Sequence, residues 1–234
     1  DYEFYVYTTD GSNRHGIPRR YKVTMNGESI TAVTDMVTGL NVNAGSDGIY
    51  AFRLSAPNLA GTVVGTDGST PIPNSSVQAD GPIGYGLSTD NSGAFSALLE
   101  QDGSYSVWAM APQYDITKAD SAKTSVTISN GSGNTNLQLR LRAPTVQGTV
   151  SGPTGVSPYN YIEVLKKNDD GYFDYYGYNA RARSTNTQGK FAFYLDPGIY
   201  KFQTQADEEN AGGGRTVSTE CVVTDTSTVI NCSI

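Results

Sequence analysis

Leu54-Ser55-Ala56-Pro57-Asn58-Leu59-Ala60-Gly61-Thr62-Val63 returns 87 residues later as Leu141-Arg142-Ala143-Pro144-Thr145-Val146-Gln147-Gly148-Thr149-Val150. A pattern that recurs at a fixed interval marks an array of similar units. Leu59, Gly61 and Val63 fall on one face of a strand, as do Val146, Gly148 and Val150, because side chains alternate with period two. In a chain of 234 residues this interval leaves two full units and part of a third, rather than one large domain. The predicted division is residues 1–57 as an incomplete, C-terminal part of a unit, then 58–143 and 144–234 as full units.

Working outward, the copies keep their correspondence. Ser88-Thr89-Asp90-Asn91-Ser92-Gly93-Ala94-Phe95 matches Thr185-Asn186-Thr187-Gln188-Gly189-Lys190-Phe191. Each is a polar turn that closes on a glycine able to take positive φ and then sends an aromatic into the core. Asp102-Gly103-Ser104-Tyr105 matches Asp196-Pro197-Gly198-Ile199-Tyr200, a second turn that launches a strand. Ser125-Val126-Thr127-Ile128, the turn Asn130-Gly131-Ser132-Gly133 and Leu137-Gln138-Leu139-Arg140-Leu141 read as a closing hairpin, with Leu137, Leu139 and Leu141 inward and Gln138 and Arg140 outward. About seven short strands per unit, with turns every 8–12 residues or so, predict an all-β fold of tandem antiparallel β-sandwich, Ig-like units in a row. No long helical periodicity competes with this.

Composition bounds the role. The 26 glycines and 10 prolines supply the turns, and the 16 tyrosines with frequent Val, Ile and Thr supply the strands. A net charge of −7 without a basic stripe argues against a nucleic-acid partner. No apolar run reaches the roughly 18 residues of a membrane span.

The order Gly-Thr-Val (Gly61-Thr62-Val63, Gly148-Thr149-Val150), a proline-containing turn, the Thr89–Phe95 and Asn186–Phe191 turns, and Asp102-Gly103-Ser104-Tyr105 or Pro197-Gly198-Ile199-Tyr200 resembles the transthyretin-like (prealbumin-like) group. That group includes carboxypeptidase regulatory-like domains and B-type repeats of surface proteins. The resemblance covers nearly all of residues 58–234. It implies a transthyretin-like sandwich and a non-catalytic role as spacer, stalk or accessory module. Some B-type repeats carry a Lys–Asn isopeptide bond with its lysine near the first strand. Neither first strand here contains lysine, so none is expected.

In residues 1–57, Phe52, Leu54, Ala56 and Pro57 align with Leu139, Leu141, Ala143 and Pro144. Leu40-Asn41-Val42 fits the penultimate strand, Tyr21-Lys22-Val23 the strand begun by Tyr105, and Glu3-Phe4-Tyr5-Val6-Tyr7 the run Lys190–Tyr194. Three explanations follow for the missing first strands: a boundary inside a longer array, a small sheet complete in itself, or strands supplied by another chain. An open edge templates strand addition, and a head-to-tail contact of that kind would build a fibre.

Cys221 and Cys232 are the two cysteines. A turn at Asp225–Thr228 would set them opposite each other on neighbouring strands, with Cα atoms about 4.5 Å apart, near the short limit for a disulfide. A disulfide is expected, and with it an oxidising, extracellular or cell-surface setting.

No catalytic constellation emerges. His15 is the single histidine, and without a second His or a free catalytic Cys the usual nucleophile–base pairs cannot be assembled. The expectation is no enzyme and no cofactor. Unit three inserts a hairpin signalled by Asp170-Gly171, whose Tyr172, Phe173, Tyr175, Tyr176 and Tyr178 are a candidate contact surface for proteins or sugars. Cross-strand aromatic pairing that only stabilises the hairpin is the plainer alternative. Asp169, Asp170 and Asp174 are the one weak metal candidate, and their spacing does not match a calcium loop. Asp207-Glu208-Glu209 reads as a solvent-facing loop. Asn74 and Asn130 head reachable N-glycosylation triplets, whereas Asn231 lies in a strand.

The leading reading is a structural extracellular protein, a stalk or fibre subunit of a cell-surface assembly that polymerises by strand complementation, with other copies of itself or other surface proteins as partners. Pro57 and Pro144 would stiffen the junctions. The alternatives are an adhesin or carbohydrate-binding module that binds glycans through the tyrosine hairpin, and an accessory region of a larger secreted enzyme.

Overall fold

Period-two alternation and β-branched or aromatic residues make every regular element here a strand, and no helix occurs among the described residues. The computed structural model describes residues 1–6, 19–36, 39–52, 56–152, 155–176, 183–204, 216–226 and 228–234. His15, Leu54, Tyr178 and Asp207-Glu208-Glu209 lie outside these residues. Over residues 1–57 the strands are β1 (Tyr2–Val6), β2 (Arg19–Asn26) and β3 (Ser29–Asp35). Over 58–143 they are β4 (Leu59–Val64), β5 (Ser76–Asp80), β6 (Tyr85–Ser88), β7 (Ala94–Ala97), β8 (Gly103–Ala109), β9 (Thr124–Ile128) and β10 (Leu137–Arg140). Over 144–234 they are β11 (Val146–Thr149), β12 (Ser151–Gly152), β13 (Gly155–Val156), β14 (Tyr161–Lys167), β15 (Phe173–Tyr175), β16 (Arg183–Ser184), β17 (Lys190–Phe193), β18 (Gly198–Thr204), β19 (Thr216–Val217), β20 (Cys221–Val223) and β21 (Ile230–Asn231).

The protein is an all-β chain of β-sandwich architecture, and residues 58–143 and 144–234 share one strand topology. In one sheet β4 lies between β10 and β7, and correspondingly β11 lies between β21 and β17. In the other sheet β8 lies between β5 and β9, and β18 has β14 and β20 as neighbours. In residues 144–234 the core draws from both sheets: Val146, Phe191 and Phe193 from one, Ile162, Val164, Tyr200, Phe202 and Val223 from the other. Leu137, Leu139 and Leu141 are buried while Gln138 and Arg140 are exposed, as the alternation predicts.

By contact the chain forms two compact units, Asp1–Val63 with Pro71–Val107 and Lys123–Gln138, and Val64–Thr70 with Trp108–Ala122 and Leu139–Ile234. Within the first, β1, β2 and β3 form a meander with Phe4 opposite Tyr21 and Val23 opposite Val33. The rings of Phe4, Tyr21 and Phe52 pack with centroids 5.7, 4.8 and 4.9 Å apart.

Three strand placements differ from the sequence expectation. β1 is hydrogen-bonded directly to β2, whereas β17 and β18, with which these segments align, belong to different sheets. Ser125–Ile128 and Leu137–Leu141 are not a hairpin: β9 pairs with β8, and β10 with β4. The chain changes sheets through Asn130 and Gly131, both at positive φ (50° and 71°), where Ser129 and Ser132 exchange two 2.9 Å backbone bonds. Likewise β20 joins β18 while β21 joins β11 in parallel. A hairpin and a sheet-changing arch share the same inward alternation, so periodicity does not separate them.

Candidate functional site

Nothing reactive is concentrated at one place among the described residues. What recurs instead is a set of polar side chains that tie down backbone at equivalent positions of both repeats. Beside each Ala-Pro step, Asn58 donates from Nδ2 to Leu99 O at 2.9 Å and accepts from Leu99 N at 2.8 Å. Thr145 Oγ1 donates to Leu195 O and accepts from Leu195 N, both at 2.8 Å. Asn58 and Thr145 are both buried, so each satisfies two backbone groups that water cannot reach.

Four further pairs follow. Thr89 Oγ1 donates to Ile72 O and accepts from Ser75 N, and Thr185 Oγ1 does the same between Ser157 O and Asn160 N. Tyr105 and Tyr200 each donate to the carbonyl four residues upstream, Gln101 O and Asp196 O, at 2.8 Å, the tyrosine-corner arrangement of β-sandwiches. Burial pushes both phenols above their usual range, in the direction that favours the protonated, donating form. Ser121 Oγ accepts from Ala109 N and donates to Ala122 O; Ser218 Oγ accepts from Phe202 N and donates to Thr219 O. Asp90 Oδ1 takes the N–H groups of Ser92 and Ala94, and Asn186 Oδ1 those of Gln188 and Lys190. Gly93 and Gly189 close those turns at φ 72° and 68°. The aligned sequence shows most of these residues as matches but not their role, and Ser121 and Ser218 have no signal in it because single serines carry no pattern.

The Gly-Thr-Val glycines have a steric reason. A Cβ on Gly61 would overlap Leu137 O, and one on Gly148 would overlap Cys232 O and the Phe191 ring. Each glycine therefore marks where the last strand of its repeat passes close over the first.

The Ala143-Pro144 step is braced from outside the repeat that follows it. Within the compact unit containing Trp108–Ala122 and Leu139–Ile234, Arg142 donates from Nε to Asp120 O at 2.7 Å and lies 3.7 Å over the Tyr194 ring. Gln147 Nε2 donates to Ile116 O at 3.2 Å, and the Tyr114 and Tyr159 rings meet edge to face at 5.6 Å. Pro144 itself is buried.

A disulfide joins Cys221 to Cys232, both buried, with Cα atoms 6.1 Å apart. It does not link neighbouring strands of a hairpin, as the register expected. Cys221 belongs to β20 on one sheet, and Cys232 follows β21 on the other, donating its N–H to Gln147 O. The bridge spans the sandwich, and its Cα separation falls in the common range for disulfides rather than at the short limit.

The tyrosine hairpin forms, with Leu165 opposite Tyr175 and Lys167 opposite Phe173, around a turn in which Gly171 takes φ 87°. Its aromatics divide. Tyr176 packs on Tyr200 at 5.3 Å, and Phe173 sits under the Lys201 ammonium at 4.5 Å. Tyr172 is 73% exposed and Tyr175 53%, although the Tyr175 hydroxyl accepts from Gln203 Nε2 at 3.1 Å. Asp169 and Asp170 are exposed and Asp174 accepts from Asn168 Nδ2; no group of three or more His, Cys, Asp or Glu residues arranged for a metal occurs among the described residues. Asn74 and Asn130 are exposed turn residues with φ 54° and 50°. No helix among the described residues is long and apolar enough to cross a membrane.

No protein-family model matches the sequence, and no curated protein sequence matches it. Among solved structures, the chain is similar to the Bacillus anthracis TIE protein at 12% identity and TM-score 0.30, over 93% of this chain and 41% of that one. It is similar to the shaft pilin SpaA of Lactobacillus rhamnosus GG at 12% identity and TM-score 0.31, over 76% of this chain and 97% of that one. A streptococcal ancillary pilin aligns at 12% identity and TM-score 0.29, over 93% and 75%. The chain thus spans well under half the length of the Bacillus anthracis protein. TM-scores of this size establish neither a common role nor a common assembly.

Proposed function

We propose that this chain is a non-catalytic, extracellular structural element, a stalk or fibre segment of a cell-surface assembly, made of transthyretin-like repeats at 58–143 and 144–234 and an incomplete, C-terminal part of a unit at 1–57. The observation that carries the reading is the braced Ala143-Pro144 step: Arg142 and Gln147 reach the backbone of residues 116–120 where a flexible linker would leave the chain bare. A step held in this way transmits force and orientation instead of absorbing them. The buried disulfide suits an oxidising exterior. Its partners are other copies of itself or other surface proteins. The test is solution X-ray scattering of the full chain. Arg142→Ala combined with Gln147→Ala should broaden the distance distribution without loss of folded signal in circular dichroism; an unchanged profile would sink the reading.

A second reading rests on the exposed tip of the tyrosine hairpin, a contact surface for a glycan or a partner protein. Because Tyr176 packs on Tyr200, the informative change is Tyr172→Ala with Tyr175→Ala. On this reading the double variant melts within a few degrees of the parent and loses retention on a glycan or protein array. Retention equal to the parent's rejects it.

A further inference from the structure

We infer that residues 144–234 are built to carry tension along the chain, with β11 and β21 loaded in shear and the Cys221–Cys232 bridge spreading that load over both sheets. The inference rests on the structural reading above and adds a load path to it. β11 opens the repeat and β21 closes it, and they run parallel, Val146 beside Ile230 and Gln147 beside Asn231. Four backbone bonds hold them: Ile230 N to Thr145 O, Cys232 N to Gln147 O, Ile234 N to Thr149 O and Ser151 N to Ile234 O, at 2.7–2.9 Å. Tension applied through Thr145 and Ile234 pulls the two parallel strands past each other. In a parallel pair the bonds are evenly spaced and slanted between the strands, so sliding one strand past the other loads them together rather than one by one. In 58–143, Ala60 N bonds Asn134 O and Leu141 N bonds Val64 O, an order that advances in the same sense along both strands.

The bridge adds a second anchor. Without it, a pull on Ile234 is resisted by β21 alone. With it, the pull on Cys232 passes through sulfur to Cys221 and so to β20, which is paired with β18 at Gly198–Val223, Ile199–Val222 and Tyr200–Cys221. β21 and β20 lie on different sheets, so rupture must break both. Both cysteines are buried, which shields the bridge from reductant while the fold holds.

The test is single-molecule force spectroscopy on the full chain, because forced rupture reads the unfolding barrier directly. One arm pulls through the two chain ends. The other pulls between Ile234 and an azide-bearing residue substituted for Gly152, an exposed site where a Cβ meets nothing nearer than 3.9 Å, so that the same ladder is peeled from one end. Each arm is run with the bridge intact and in a Cys221→Ala, Cys232→Ala double variant. The expected result is a rupture force severalfold higher in shear than in peeling. Loss of the bridge should lower the shear force and lengthen the extension by about 3.4 nm, the reach of the 11-residue segment it closes at about 3.6 Å per residue less the 6.1 Å between Cα atoms that the bridge already spans. Equal forces in the two geometries, or a shear force untouched by loss of the bridge, overturns the proposal. The scattering test of the Arg142 and Gln147 variant is independent of these outcomes, so failure of the load path and failure of the structural reading are told apart.

Discussion

Gly148→Ala is expected to destabilise residues 144–234 by about 3 kcal/mol or more, toward the upper end of what overpacking a buried site costs. The new methyl would overlap Cys232 O, a backbone atom, and the Phe191 ring, which is fully buried. Neither can retreat cheaply. Moving Cys232 O breaks the β11–β21 ladder and drags the disulfide, and moving Phe191 disturbs its packing against Phe193 and Phe202. Gly148 is not at positive φ, so the cost is one of space, not of backbone strain. Urea unfolding followed by hydrogen exchange of the β11 and β21 amides would measure it. Gly152→Ala is the control, and it should shift stability by no more than about 0.5 kcal/mol. Gly61→Ala should reproduce the loss in 58–143, where the overlap is with Leu137 O.

Thr145→Val should cost about 3 kcal/mol although the two side chains have nearly the same shape. Thr145 is 1% exposed, and its hydroxyl serves both Leu195 N and Leu195 O. Valine leaves those two buried backbone groups without a partner, at roughly 1–3 kcal/mol each. Thr145→Ser retains the hydroxyl and gives up one methyl, so its cost should be nearer 1 kcal/mol. Thr145→Asn places at this position the side chain that 58–143 uses at Asn58, and should recover part of the loss if the two sites are equivalent. Thermal melts of the three variants decide the order; a valine variant as stable as serine would mean the clamp contributes little.

Both predictions turn on residues whose importance is only half visible in the sequence. Gly148 and Thr145 stand out because Gly61 and Asn58 occupy the same places 87 residues earlier, yet neither repeat pattern says what the residue touches. The Tyr105 and Tyr200 corners, the Thr89 and Thr185 ties and the Asp90 and Asn186 turns were legible as matches through the turn motifs around them, which lie 95 or 96 residues apart. Ser121 and Ser218 were not, because each acts through one hydroxyl placed by a loop. The tyrosine hairpin was legible as a hairpin from Asp170-Gly171, but the division of its rings required the neighbours Tyr200, Gln203 and Lys201 to be in place.

By itself the sequence determined that this is an all-β chain in which one strand pattern recurs after 87 residues. It also determined which way Leu137, Leu139 and Leu141 face and where the chain turns at Gly93 and Gly189. These follow from period-two alternation and from local backbone preference, both written in consecutive residues. The tertiary structure alone decided which strand each run pairs with: β1 with β2, β9 with β8, and β21 with β11 in parallel. It also decided that Cys221 and Cys232 reach each other across the sandwich. Alternation tells a strand which face to bury but not which edge to join. Strands on either sheet that face one core look alike until the whole chain has closed around it.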